Sequence, residues 1–375
     1  MSTADLMAAP LGQPDISQPY VLAWYGCDLR TGYIIEDLRS LSPAGPLSRR
    51  LGTATTLSAT LGLAGAPADW EAATDQGRSM LVAVDTATDT PLWAGIVLAR
   101  TGGSAQTVDL QLATPECYLD RRYTGTITLL QQDQAVVCAA VLGPAMTDGP
   151  PFQMDAPATG KLLDYSVTDG DDRTALSALQ ELMGADGGPE WTVDVAWNSS
   201  HDGFVLPIRI RPAVGSQSGT PEGVFDFPGS VASYTLAESY EAGRGATIVQ
   251  ARGEGEGDGR LSSNAYTADA LISGGWPRWV YRFTPSAGQS DPVQLNAHAA
   301  KALTLMQTGA RVWSVEATAS RSPRVGRDWN LGDTVRISIS SSPRHRSGAD
   351  TVARAWAWEL DPGADTVRPI LVEED

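Results

Sequence analysis

The stretch Ala355–Leu371, AWAWELDPGADTVRPIL, decides the reading of the fold. Trp356, Trp358 and Leu360 alternate with Ala355, Ala357 and Glu359, the period of two that marks a half-buried strand. Asp361, Pro362 and Gly363 form a turn, and Thr366–Leu371 returns as a second strand, so the stretch predicts a β-hairpin. Pro369 lacks a backbone donor, which predicts that its strand lies at a sheet edge or stops early. Further upstream, LWAGIVLART and TVDLQL (Thr107–Leu112) flank TGGSAQ and predict another hairpin. TVDLQL echoes TVRPIL (Thr366–Leu371), an echo that points to two related β-modules.

Around the first hairpin the chain is strand after strand. YVLAWYGCDL, TGYIIEDL, TTLSATLGL and SMLVAVD are short runs bounded by turn signals, and SPAGPLSRRLG reads as a polar turn among them. This spacing predicts a small barrel or sandwich. From about residue 119 the pattern becomes mixed α/β. Asp133 caps a helix through QAVVCAAVL that stops at Gly143 and Pro144, and Asp171 or Asp172 caps RTALSALQELM, which stops at Gly184. WTVDVAW and FVLPIRIR flank the turn NSSHDG as a further hairpin. DPVQLNAHAAKALTLMQTG carries the strongest helix signal, with Asp291 as cap, Pro292 at the first position and Gly309 as stop.

Composition narrows the function. The 375 residues carry a net charge of −17, which opposes sequence-specific binding of nucleic acid, since that draws on clustered cations. Cys27, Cys117 and Cys138 are widely spaced and odd in number, as expected for small buried thiols in a reducing compartment. The N-terminus has neither the basic start nor the apolar core of a signal peptide, and no run of about 18 apolar residues predicts a transmembrane segment.

The chemistry-bearing patterns fail on inspection, so no catalytic, cofactor-binding or metal residue is expected. His201, His298 and His345 lie in a turn, a helix and an Arg-flanked loop, without metal-ligand spacing. GSQSG (215–219) has Gln217 where a nucleophile elbow needs Ser. Gly160 and Lys161 lack the first Gly and the Ser or Thr of a phosphate loop, and GEGEGDG (253–259) reads as a solvated acidic loop. Asp69 and Glu71 around Trp70 are the carboxylate pair that a glycosidase reading would use, beside the plainer reading of a structural Trp in a turn.

Several segments together resemble one family. AWYGCDLRTGYIIEDL, GPLSRRLGTATTLSATL, PADWEAATDQGRSMLVAV, PLWAGIVLARTGG and ATPECYLDRRY occur in order, followed by GSVASYTLAESYEAGRGATIVQARGEGEG, GGWPRWVYRF and LGDTVRISI. In these the chain resembles the baseplate-hub minor tail proteins of actinobacterial siphophages, akin to the N-terminal hub part of tail-associated lysins. The resemblance implies a mainly β fold with two small β-barrels and a mixed α/β middle domain. Residues 1–18 read as a flexible arm, and the resemblance implies a first barrel over 19–118 and a middle domain over 119–231. The second barrel would span 232–260 and 310–375, with a helical insertion at 261–309 packing on the middle domain.

The implied role is a structural tail-tip hub: a homotrimer whose six barrels ring the DNA passage. Its implied partners are the distal tail protein, the tape-measure protein and receptor-binding or other tail-tip proteins, with DNA only in transit. Unlike the lysin-bearing relatives, the chain is expected to end at Asp375 without a peptidase or glycosidase domain. Trp24, Tyr25, Trp70, Trp93, Trp276, Trp279, Trp313, Trp356 and Trp358 are candidates for core or subunit interface. Two other classes compete with the hub: a wall-degrading glycosidase using a carboxylate pair, and a receptor protein that stacks sugars on exposed Trp.

Overall fold

The computed structural model describes residues 17–373 apart from 218, 254, 258 and 286–290, so most of the expected N-terminal arm and parts of the acidic loop lie outside the described residues. The chain is mainly β. Its first module contains β1 (Leu22–Asp28), β2 (Ile34–Asp37), β3 (Leu41–Pro43), β4 (Leu47–Arg50), β5 (Thr56–Gly62), α1 (Trp70–Ala73), β6 (Ser79–Asp85), β7 (Thr90–Gly102) and β8 (Thr107–Ala113). All but β4 form a seven-stranded sheet in the order β2-β1-β6-β7-β8-β5-β3. The two edge strands, β2 and β3, are joined by the short turn Leu38–Ser40, which curls the sheet into a half-barrel.

The middle module follows with α2 (Glu116–Leu119), β9 (Ile127–Asp133), α3 (Gln134–Met146), β10 (Phe152–Asp155), β11 (Leu162–Val167), α4 (Ala175–Gly184), β12 (Glu190–Val193), β13 (Ala196–Trp197) and β14 (Phe204–Arg211). Asp133 caps α3 by accepting from Ala135 N at 2.8 Å. That helix runs past Gly143 and Pro144 to Met146, longer than expected, because Pro144 sits in the last turn, where the interruption is small, and Arg122 donates to its carbonyl. Thr174, and neither Asp171 nor Asp172, caps α4, its hydroxyl accepting from Ser177 N at 3.1 Å. Asp171 instead caps the preceding turn through Thr168.

A second β-module holds β15 (Gly223–Phe227) and β16 (Val231–Ser239). A small unit interrupts it, made of β17 (Ile248–Ala251), β18 (Tyr266–Thr267), α5 (Asp269–Ser273), β19 (Val280–Phe283) and α6 (Pro292–Met306). The module then resumes with β20 (Ala310–Thr318), β21 (Thr334–Ile339), β22 (Ala349–Asp361) and β23 (Thr366–Val372), giving the order β15-β21-β22-β23-β20-β16. Ile248–Ala251, read from sequence as part of the second barrel, pairs instead with β18 and β19 and buries Val249 and Ala251 in a separate core beneath α6.

The two β-modules share one topology apart from β1. In each, two edge strands are consecutive and joined by a short turn, Leu38–Ser40 in one and Pro228–Ser230 in the other. In each, a long connection then leads to strands corresponding as β5 to β20, β6 to β21, β7 to β22 and β8 to β23, all antiparallel in sequence. β1 has no counterpart, so β15 meets β21 directly and in parallel, as β2 would meet β6 were β1 removed. The echo noted in the sequence is register-matched. Opposite Leu112 and Gln111 stand Val97 and Ala99, with Leu98 bulged out. Opposite Leu371 and Ile370 stand Ala355 and Ala357, with Trp356 bulged out. Thr107–Leu112 and Thr366–Leu371 therefore occupy the same positions of two structural repeats.

The bulge revises the reading of the decisive hairpin. An extra residue in one strand switches which side chains point inward. Ala353 and Ala355 are buried before Trp356, and Trp358 and Leu360 after it, while Trp356 is half-buried. Pro369 is not at an edge: its strand lies between β22 and β20. It is tolerated because the β20 ladder skips it, passing from Ser314 opposite Ile370 to Ala317 opposite Val367.

SPAGPLSRRLG, read as a polar turn, supplies β4, which leaves its own sheet and pairs antiparallel with β22, Leu47 opposite Leu360. A single apolar core thus runs through both repeats, from Trp24, Leu47 and Trp93 to Trp313, Trp358 and Leu371. The first sheet is buried on both faces at β6 and the first half of β7, whereas β5 and β8 expose alternate residues. Leu81 and Ala83 of β6 face this shared core, while Met80, Val82 and Val84 face the middle module together with α3, α4 and β14.

Candidate functional site

Two buried ion pairs and one partly buried pair lock the modules together. Arg324, in the β20–β21 connection, forks onto Asp85 at the end of β6, with Nε–Oδ2 at 2.6 Å and Nη2–Oδ1 at 2.7 Å. The two side chains are 2% and 0% exposed, so the pair is fully withdrawn from water. The guanidinium also lies 3.9 Å from the Tyr20 ring centroid and donates to Gln18 O. Arg354 of β22 makes a second fork onto Glu190 of β12 and donates to Val214 O and Gly332 O, tying the second repeat to the middle module. Arg49 of β4 reaches Asp194 at 2.9 Å, and its guanidinium also donates to Thr192 Oγ1 and Val193 O. Planar Arg forks satisfy carboxylates geometrically as well as electrostatically, and they suit joints that must hold one orientation.

These six residues were not singled out from the sequence. Their one local signal is a charge set among apolar neighbours, as Asp85 closes SMLVAVD and Arg354 interrupts VARAWAW.

The nine aromatic candidates separate into three groups. Trp24, Trp93, Trp313 and Trp358 are buried in the shared core, where Trp24 and Trp93 meet edge to face at 6.1 Å and Trp93 Nε1 donates to Ser48 O of β4. Tyr25, Trp70 and Trp356 are half-buried. Tyr25 lies against Trp197 and Phe204 of the middle module, Arg100 covers the Trp70 ring at 5.6 Å, and Arg354 stands 5.6 Å from Trp356. Trp276 and Trp279 are 39% and 52% exposed, both flanking Tyr240.

Asp69 and Glu71 are exposed at the start of α1. The three histidines are far apart in the fold: His201 stacks on Trp197, His345 bonds Tyr234, and His298 is buried in α6. Among the described residues no three His, Cys, Asp or Glu side chains converge on a point. Cys27 and Cys138 are buried, and burial pushes the Cys138 thiol up to about 12.

α6 docks on the end of α4. Its Asp291 cap accepts from Val293 N at 2.9 Å, His298 Nδ1 faces Gly184 O at 3.1 Å, and Lys301 donates to Met183 O. Lys301 thus brings a cation from one helix to the carbonyl end of another. Burial holds the His298 pKa below its usual value, with the Gly184 hydrogen bond opposing and Lys301 adding to the depression. The unfolded chain therefore takes up a proton that the folded one resists. The His298 contribution is complete above the unfolded value of 6.5 and is lost as pH falls below it. Denaturant titrations at pH 8 and pH 5.5 are expected to show a larger loss in the wild type than in His298→Gln; equal losses would remove this assignment.

No family model and no curated protein matches the sequence. Solved structures do match in fold. The tail protein from Neisseria meningitidis MC58 aligns with a TM-score of 0.59 at 11% identity, over 95% of this chain and 97% of that one. The 43 kDa tail protein of prophage MuSo2 from Shewanella oneidensis gives 0.56 at 12%, over 94% and 98%. Prophage tail protein gp18 from Listeria monocytogenes EGD-e gives 0.52 at 10%, over 94% and 95%. The fold of this chain is thus that of phage tail proteins along nearly its whole length.

Proposed function

We propose that the chain is a structural tail-tip protein, the baseplate hub of a long non-contractile-tailed phage, acting as a trimeric ring. The observation that carries the proposal is the pair of register-matched repeats within a tail-protein fold. Three chains with two repeats each present six similar units, the arrangement that lets a threefold ring seat on a sixfold tube. The ring joins the tail tube to the host-attachment apparatus. Its partners are further copies of itself, the distal tail and tape-measure proteins, and receptor-binding proteins at the virion tail tip. It has no catalytic role in this reading. The charge of −17 per chain lines the passage with carboxylates, which repel phosphate and let DNA slide through.

A cryo-EM map of the tail tip tests the proposal. Three copies around the axis, with Asp and Glu facing the bore, are expected. Six copies overturn the trimer, an Arg-lined bore overturns the electrostatic role, and clearing of host cell walls by the purified protein on a zymogram overturns the non-enzymatic reading.

A further inference from the structure

The contact between the two repeats is head-to-tail. The first repeat contributes β4 and the β6–β7 turn; the second contributes the outer edge of β22 and the β20–β21 connection. β21 covers β22 from Ala349 to Arg354, and β4 covers it from Ala357 to Leu360. Asp85 meets Arg324, and Gly326 lies against Leu92, where an added Cβ would come within 2.4 Å. Because different surfaces meet, each repeat leaves one half of the contact unused. Contacts of this kind continue into a further copy, closing a ring where the rotation allows.

Both unused halves can be read off the repeat equivalence. On the first repeat, β6 covers β7 only from Thr90 to Ile96. Gly77 N donates to Val97 O, as Gly332 N does to the equivalent Ala355 O. Beyond that point β22 receives β4, but among the described residues no strand pairs with the same side of β7 at Ala99–Gly102. Leu98, Ala99, Thr101 and Gly102 are exposed there. Beside this open edge stands α1, in the connection equivalent to the one that carries Arg324. It exposes Asp69 and Glu71, and no ion pair engages either among the described residues. On the second repeat, the turn equivalent to the one that carries Asp85 is Ser340–Gly348, which exposes Arg344 and Arg346. Arg344 pairs with Glu238 at the surface, whereas Arg346 has no ion-pair partner among the described residues.

We infer that a second copy of this chain docks its second repeat on the first repeat of its neighbour, setting Arg344 and Arg346 against Asp69 and Glu71 and covering the open edge of β7. The charges are complementary and reversed relative to the pair within the chain, where the turn is acidic and the connection basic. Reversal distinguishes the joint within a chain from the joint between chains, since Asp85 cannot pair with α1, nor Arg324 with the basic turn. The inference rests on the ring reading for the number of copies alone.

The test is a Glu71→Cys/Arg346→Cys protein under mild oxidation, with each single variant as control. Of the native thiols, Cys27 and Cys138 are buried and Cys117 is half-buried. Reducible bands at multiples of the chain mass from the double variant are expected. A double variant that stays at single-chain mass, or single variants that cross-link equally, overturns the contact. Asp69→Arg/Glu71→Arg is expected to weaken self-association at least about tenfold, with Arg344→Glu/Arg346→Glu in the same chain restoring it. Unchanged association overturns the contact as well. The native mass separates the two readings. Cross-linking in an assembly of other than three chains keeps the contact and removes the trimer, whereas three chains without cross-linking keep the trimer and remove the contact.

Discussion

Asp85→Asn is expected to lower the unfolding free energy by about 3–5 kcal/mol, the cost of leaving a buried guanidinium without its counter-charge. Arg324 is surrounded by Tyr20, Gln18 O and the Asp85 carboxylate, so water cannot take the place of the lost charge without opening the joint. The loss should also spread. Val325 N donates to Tyr20 OH, and Arg324 O accepts from Asp328 N, so a displaced Arg324 disturbs both the entry to β1 and the loop ahead of β21. Equilibrium denaturation of wild type and variant measures the effect. Replacing both partners, as Asp85→Leu/Arg324→Met, should recover most of the loss, because the desolvation cost disappears with the charges. A double variant as unstable as Asp85→Asn would show that the joint depends on the polar network itself.

The second large effect is at Trp358. Trp358→Ala should cost about 3–5 kcal/mol, the range for truncating a large buried aromatic side chain. Trp358 is 2% exposed and lies on β22 where β4 joins, Arg49 opposite it, so the cavity opens in the core common to both repeats. Trp356→Ala should cost clearly less, because the bulge leaves Trp356 half-buried and its Nε1 without a hydrogen-bond partner. Thermal or denaturant unfolding of the two variants side by side checks the order. Equal losses would mean that the bulge does not hold Trp356 at the margin of the core, where it packs half-buried.

Much of the fold was legible because period-two patterning and turn chemistry are local. The hairpins at Trp93 and Trp358, the Asp133 and Asp291 caps and the stop at Gly184 all follow from neighbours in sequence. The features that escaped depend on partners far along the chain. Leu47–Arg50 is polar at its end and follows Pro46, so it reads as a turn until β22 is seen to accept it. The place of Pro369 in an interior strand depends on a skipped rung that only β20 provides. The bulge at Trp356 cannot be seen in AWAWEL alone, since alternation continues through it unbroken. The ionic joints were least visible, because a lone Asp or Arg at the end of a strand looks the same whether it faces solvent or a buried partner.

β4 also has a consequence for folding. Its partner, Ala357–Leu360, is synthesised long after β4 itself has emerged. The first repeat can therefore form its own sheet on the ribosome, but the strap must wait, unpaired, until the β22–β23 hairpin arrives. Such long-range closure is slow, and an unpaired strand exposed meanwhile is prone to capture by another chain. A protein of this design would gain from folding at low local concentration, and chains truncated before Ala357 should be the ones that aggregate.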